Sequence, residues 1–367
     1  MKDGLGEAAV ERIIGALLSS GAHFSPKQFR NDALSTLHQH ELKDRVRHLI
    51  AVMARHLPPS FPETATILSR IRDHWPDDEG SDKRQVFAAW PIIDYVAEYG
   101  LNHPDIALPL LRYLTPMFSA EFAVRAFLMI HPEATYNQML LWCLDPDTHV
   151  RRLASEGIRP RLPWAQQLTS YITDPTPVIA LLENLKDDPS DDVRRSVANN
   201  LNDISKDHPE QVIDTCKRWQ ADQVSARQWI IRHATRTLVK AGHPKVFPLL
   251  GFTRRPQLDL AGPELSTQHL RLGETLGISV KVTSTSSENQ RVVIDYAVHY
   301  IKSNGQSAPK VFKWKNLHLK PRQCVTLVKS QTFKKLTTRK HYPGDHQIKI
   351  LVNGQPASHA TFELHLA

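Results

Sequence analysis

Residues 158–164 read IRPRLPW, two arginines and a tryptophan on a backbone that two prolines restrict. The prolines bias the stretch toward extended geometry. Guanidinium groups on so stiff a backbone lose little entropy when they grip a phosphate. Trp164 beside them can stack on a base or sugar, or else open the next helix as a core residue. The preceding segment, DTHVRRLASEG, sets Val150, Leu153, Ala154 and Ile158 at helical spacing and turns Arg152 and Glu156 the other way, with Gly157 able to end the helix. Further on, SDDVRRSVANNLNDI buries Val193, Val197 and Leu201 and leaves a polar stripe of Arg195, Asn199 and Asp203. Aligning the two helices brings Arg152 level with Arg195 and Glu156 level with Asn199. Arginines recurring at one repeat position can follow a phosphate backbone. The same spacing also builds a solvated face with weak i,i+4 ion pairs.

The elements that must position these residues come in two kinds. Up to about residue 250 the apolar period is 3.6, in segments broken by LPPSFP, GLNHPD, IHPEA, LDPDT, TDPTP, DDPSDD and DHPE. Asp or Ser beside Pro at many of these breaks is helix-start chemistry. FSAEFAVRAF, PDTHVRRLAS, PSDDVRRSVA and VSARQWIIRHA resemble one another, each with arginine just after a capping segment. Such a pattern predicts a right-handed solenoid of degenerate HEAT-like helical repeats, with matching positions lining its inner side. Past residue 267 the period becomes 2. GISVKVTS, RVVIDYAVHYI, KVFKWKNLHL, CVTLVKSQTF, HQIKILVNG and HATFELHL read as strands of an immunoglobulin-like β-sandwich. The expected division is 1–255 for the helical domain, 256–267 for a linker and 268–367 for the sandwich.

Of 367 residues, three are cysteines, far apart, so a disulfide scaffold is excluded and no Cys/His set offers four zinc ligands. No metal is expected. No apolar run reaches membrane-spanning length, and the N-terminus reads as an amphipathic helix, not a signal peptide. A monomeric cytoplasmic protein without membrane contact is expected. The net charge of +8 is uneven: residues 268–367 hold 15 Lys/Arg against 5 Asp/Glu, the rest 31 against 33. That asymmetry points to an anionic partner for the sandwich, nucleic acid foremost.

VRRLASEGIRPRLPWA, FAAWPIIDYVAEYG and VRRSVANNLNDISKDHPE together resemble the HEAT-like-repeat DNA alkylation repair glycosylases, in particular the AlkC branch, over essentially the whole chain. The resemblance implies excision of cationic alkylated bases, chiefly 3-methyladenine and 3-methylcytosine, from double-stranded DNA. It implies a monofunctional enzyme that needs no cofactor and does not extrude the lesion, unlike base-flipping glycosylases. A base alkylated on a ring nitrogen is already a good leaving group. Positive charge then builds on the deoxyribose, where fixed carboxylates stabilise it and orient water, and an aromatic face adds a cation–π term to the lesion.

Carried over to this chain, the family pattern makes Glu121, Glu156 and Asp203 the acidic cluster and Trp164 the aromatic wall. Each carboxylate also has a structural reading: Glu121 pairs with Arg125, Glu156 with Arg152, and Asp203 caps a following segment. Arg152, Arg159, Arg161, Arg194 and Arg195 are the phosphate-binding candidates, with Arg125, Arg232 and Arg236 secondary. In the sandwich the basic loop KKLTTRKHYPGDH supplies Lys334, Lys335, Arg339 and Lys340. The alternative is a non-catalytic HEAT-repeat scaffold for DNA or protein, which needs no acidic cluster among its arginines. If the sandwich grips DNA, deleting 268–367 weakens binding and flattens its salt dependence; an unchanged salt slope excludes that role.

Overall fold

Proline starts many of the helices. Pro26–Leu37, Pro104–Leu114, Pro132–Trp142 and Pro209–Gln220 each carry it in the first turn, where its missing N–H has no helical partner to lose. Histidine precedes the last three in almost one backbone conformation: φ -130°, ψ 58° at His103, φ -124°, ψ 58° at His131 and φ -129°, ψ 63° at His208. The His-Pro step is thus a recurring device for entering a repeat. The computed structural model describes residues 2–76, 85–222, 224–335 and 340–366. Two compact units result, Met1–Asp207 and His208–Ala367. That boundary lies inside the helical stretch, upstream of the change in sequence period.

The first unit is helical throughout, as a HEAT-like repeat array requires. Its core runs through Ile13, Leu17, Phe29, Leu49, Ile92, Leu111, Phe127, Leu153 and Val197, all fully buried. Two of its helices carry the residues of interest. Thr148–Gly157 is capped by Asp147, whose carboxylate accepts the His149 N–H at 2.8 Å. Asp191–Ile204 has Asp191 and Asp192 in its first turn, favourable against the helix dipole. The two helices meet through a polar seam: the Ser155 and Ser196 hydroxyl oxygens lie within hydrogen-bond distance at 2.9 Å, and Asn200 Nδ2 donates to the Ser155 carbonyl at 2.9 Å. Gly157 does end its helix, but for packing: a Cβ there would lie 2.5 Å from Val124 Cγ1.

The second unit joins four helices, from Pro209–Gln220 to Val246–Leu249, to an immunoglobulin-like pair of sheets. The strands are β1 (Leu258–Leu265), β2 (His269–Arg271), β3 (Thr275–Ser284), β4 (Gln290–Ile301), β5 (Ser307–Leu319), β6 (Cys324–Thr332), β7 (Gly344–Val352) and β8 (Gln355–His365). One sheet is ordered β1-β3-β6, the other β2-β8-β7-β4-β5. Their shared core includes Ile278, Val280, Val292, Tyr296, Ile348 and Phe362. All six strands read from the alternation are present. β1 occupies the stretch expected to be a linker; its burial alternates only weakly and it bulges between Ala261 and Glu264, so a period of 2 is hard to see in its sequence. β2 has three residues, too few to show a period.

A second small core holds Val293 of β4 with Ile213, Leu238, Val246 and Phe247, so the helices of this unit and its sheet are one packed body. The β7–β8 turn, Asn353-Gly354, has both residues at positive φ (46° and 72°), the conformation of a tight two-residue hairpin. Gly242, at φ 71°, packs directly on that turn: a Cβ on it would lie 2.4 Å from the Gly354 carbonyl oxygen. Gln355 Nε2 donates to the Gly242 carbonyl at 2.9 Å. Gly242→Ala is therefore expected to destabilise the protein by about 2 kcal/mol or more, read from the midpoint of urea unfolding.

Candidate functional site

Six charged side chains of the first unit form one line with alternating sign. Glu121 Oε2 lies 3.2 Å from Arg152 Nη1, and Arg152 Nη2 lies 3.7 Å from Glu156 Oε2. Glu156 Oε1 accepts from Arg159 Nη1 at 2.5 Å, Arg159 Nε donates to Asp203 Oδ2 at 2.8 Å, and Asp203 Oδ1 accepts from Lys206 Nζ at 2.9 Å. Ser119 Oγ donates to Glu121 at 2.8 Å, and Ser196 Oγ donates to Glu156 at 2.6 Å. The three carboxylates come from the turn before the Val124–Ile130 helix, from Thr148–Gly157 and from Asp191–Ile204. The structure therefore gathers all three acids nominated from the sequence. Glu121 pairs with Arg152, not with Arg125 one turn on, because it precedes the helix instead of lying in its first turn.

Burial decides why the line must be complete. Glu156 and Asp203 are 5% and 2% exposed, and an isolated buried carboxylate costs several kcal/mol. Arg159, itself buried, serves both. Burial alone would depress its guanidinium, yet the charges of Glu156 and Asp203 and their hydrogen bonds hold its pKa above the ordinary arginine value. Burial raises the Glu121 carboxyl; Arg152 opposes that and the Glu156 charge adds to it, leaving the pKa above the usual glutamate range.

Residues 158–164 are not extended. They run through successive turns, with Ile158 still near helical angles and Trp164 at φ 67°. A left-handed conformation costs a non-glycine residue about 1–2 kcal/mol. It holds the indole outward, 57% exposed, while Lys43 Nζ donates to the Trp164 carbonyl. The clamp beneath is Arg125. Its Nη1 donates to the carbonyls of Gly157 (2.9 Å) and Arg159 (2.8 Å), and its Nε to that of Gln166 (3.0 Å), tying both ends of the elbow to one guanidinium. Burial without a carboxylate partner pushes its pKa down to about 10.

These positions change several arginine assignments. Arg125 is 2% exposed and bound to backbone, so it presents nothing to a phosphate. Arg159 is buried between two acids. Arg161 makes a two-pronged pair with Asp207, 2.8 Å on each prong, and keeps only part of its side chain in solvent. In the VRRS pair, Arg194 donates to the Asp188 carbonyl and to Asp191, which commits it to the inter-helix turn. Arg195 pairs with Asp192 at 3.1 Å but stays 57% exposed, and it lines an open recess of about 370 Å³ with Arg152, Glu156, Asp192, Ser196 and Asn199. Arg152 and Arg195 thus do stand at matching places.

Trp164 lines another recess, about 290 Å³, with Lys43, Trp90, Asp94, Phe122 and Met129. Trp90 stacks on Phe122 at 5.2 Å and donates its indole N–H to Asp94 Oδ2 at 2.7 Å. Burial pushes the Asp94 carboxyl up to about 7, and among the described residues its buried Oδ1 has no hydrogen-bond partner. Trp90 and Asp94 lie in FAAWPIIDYVAEYG and Phe122 in FSAEFAVRAF, but nothing in those stretches marks them as site residues, since a tryptophan and an acid four residues apart on an apolar helix look like ordinary core.

In the second unit, Arg232 and Arg236 line a recess of about 630 Å³ with Lys240, Arg291 and Lys313. Lys334, Lys335 and Lys340 are exposed; Arg339 lies outside the described residues. Because β4 shares a core with the helices of its unit, a deletion at 268 would cut through that core. Neutralising the three exposed lysines tests the salt slope without doing so. No helix among the described residues is long and apolar enough to cross a membrane.

Residues 118–238 match the model of a family described as DNA alkylation repair enzyme, and residues 259–366 match one described as the C-terminal Ig-like domain of the uncharacterised protein YhaZ. The chain is 35% identical over 369 residues to the uncharacterized protein YhaZ of Bacillus subtilis (strain 168), covering 99% of each. It is similar to a solved structure of Pseudomonas fluorescens alkylpurine DNA glycosylase AlkC bound to DNA containing an abasic site analog. The TM-score is 0.90 and the identity 34%, over 99% of each chain.

Two arginines of the elbow region should respond differently to replacement. Arg125→Leu leaves the buried carbonyls of Gly157 and Arg159 without this donor and is expected to cost at least about 3 kcal/mol. Arg161→Ala removes a partly solvated pair and is expected to cost under about 1 kcal/mol. Calorimetric unfolding of both variants makes the comparison.

Proposed function

Since the chain belongs to the AlkC-type branch of the DNA alkylation repair enzymes, we propose that it is a DNA glycosylase that removes cationic N-alkylated bases, 3-methyladenine and 3-methylcytosine among them, from double-stranded DNA. The observation that carries this reading is the acidic line: three carboxylates from three successive segments, held together by arginines. A scaffold that only binds DNA or protein does not call for an acidic cluster among its arginines.

The chemistry follows from the charges. As the bond between C1′ and an already cationic base lengthens, positive charge moves onto the sugar. Glu156 and Asp203 have oxygens bound on both sides, so they act as fixed negative charge and need no reorganisation when that charge develops. Glu121 differs. Its Oε2 accepts from Ser119 and lies 3.2 Å from Arg152. Burial holds its pKa above the usual glutamate range, and the role of orienting and deprotonating water falls to it. Arg152 and Arg195, in the adjoining recess, are suited to the phosphates flanking the lesion. Trp164 offers a preset exposed face for stacking. Lys206 is tied to Asp203 through its ammonium, which supports hydrolysis by water over attack by an amine.

The test is release of free 3-methyladenine from methylated duplex DNA under single-turnover conditions. Glu156→Gln and Asp203→Asn are expected to lose ~10²–10³-fold in rate, with unfolding curves recorded alongside to separate chemistry from folding. Glu121 works as the carboxylate, so the rate is full above its raised pKa and falls as pH drops through it. Glu121→Gln should abolish that acid limb along with most of the rate. Rates unaltered in all three variants would overturn the site, and strand scission in place of an intact abasic product would redirect attention to Lys206.

A further inference from the structure

On the outer side of the second unit's larger sheet, β2 runs parallel to β8 with His269 opposite Glu363 and Arg271 opposite His365. Glu363 and His365, two apart on one strand, share a face, while Phe362 and Leu364 between and beside them are buried on the other. Leu270 likewise turns inward and leaves His269 outside. Strand pairing thus brings two imidazoles and a carboxylate together on the solvent side.

Three of their atoms form a nearly equilateral triangle. His269 Nδ1 lies 3.3 Å from Glu363 Oε2, His365 Nε2 lies 3.4 Å from the same oxygen, and the two nitrogens are 3.5 Å apart. As hydrogen bonds these contacts are long, since N–H···O contacts cluster at about 2.9–3.0 Å. Two ring nitrogens converging on each other and on one oxygen also leave lone pairs or N–H dipoles opposed. A cation at the centre removes the conflict. Tetrahedral zinc with bonds of about 2.0–2.1 Å separates neighbouring ligand atoms by about 3.3–3.4 Å, the spacing seen here. The rings are near parallel, with 28° between planes.

We propose that His269, Glu363 and His365 bind a divalent late first-row transition ion, zinc foremost. Two imidazoles and one carboxylate select such an ion over calcium or magnesium, which prefer all-oxygen sets. The fourth position opens to water, because the three side chains are 71%, 43% and 45% exposed. The ion staples the three-residue strand β2 to the sheet edge and closes the chain segment from β3 to β7. A search for four ligands clustered in sequence passes over such a site, since His269 reaches its partners only through strand pairing.

The full-length protein, stripped with EDTA and dialysed, is titrated with Zn²⁺ by calorimetry and with Co²⁺ by visible absorption. A single tight ion per chain with the intense spectrum of four-coordinate cobalt is expected. His269→Ala and His365→Ala should each weaken binding at least ~10-fold and remove the rise in melting temperature that zinc confers on the parent protein. Both side chains are exposed, so the variants are expected to fold, and a melting curve without metal verifies it. Equal zinc affinity in the parent and the double variant would overturn the site, as would a weak six-coordinate cobalt spectrum.

Discussion

A buried carboxylate that loses its counter-ion either takes up a proton or drives its element out of the core. In the first unit that constraint extends along a line. Arg159 lies between Glu156 and Asp203, Arg152 between Glu121 and Glu156, and Lys206 closes the end on Asp203. Because each internal charge serves two neighbours, the positions of three separate segments become conditions on one another. The register between the Thr148–Gly157 and Asp191–Ile204 helices follows, since Ser196 must reach Glu156 while Asn200 reaches the carbonyl of Ser155. The elbow follows too. Arg159 and Arg161 dock on Asp203 and on Asp207, one turn further on, and Arg125 takes the carbonyls that the turns leave open.

On the proposed reading the same pairing resolves a conflict of function. Three bare carboxylates would repel the phosphates of a bound duplex, yet three carboxylates are what a developing oxocarbenium ion needs. Matching them with three cations leaves the line neutral at long range. At short range its carboxylates still supply negative charge already in place for a cationic sugar. That is preorganisation in the electrostatic sense: the reorganisation was completed when the chain folded. The left-handed turn at Trp164 is the backbone counterpart, a small strain that keeps an indole exposed where a relaxed chain would fold it away.

The second unit obeys a different logic. Its strands alternate, its turns carry glycine and asparagine at positive φ, and its charge is spread over exposed lysines and not locked in buried pairs. Where it does need close fit, between Gly242 and Gly354, the device is the absence of a side chain. Its helices and sheet share a core through Val293, so the change of period in the sequence marks a change of secondary structure more than an edge between packed bodies.

How much of this was legible beforehand differs by level. Apolar periodicity and proline-led helix starts determined the elements, because each is a local property of a few neighbouring residues. Six strands and the pattern of helices followed, while β1 and β2 did not, one being bulged and the other too short to have a period. The acids Glu121, Glu156 and Asp203 could be nominated from type, repeat position and resemblance. The arginines could not be sorted that way. A guanidinium on a long flexible stem reaches phosphate, carboxylate or carbonyl with equal ease, so Arg125, Arg159, Arg161 and Arg194 look in sequence like Arg152 and Arg195. Only the tertiary structure, by bringing Asp203, Asp207 and the elbow's carbonyls within reach of some and an open recess beside others, decided which of them are committed to the fold alone and which, though paired, also face open space.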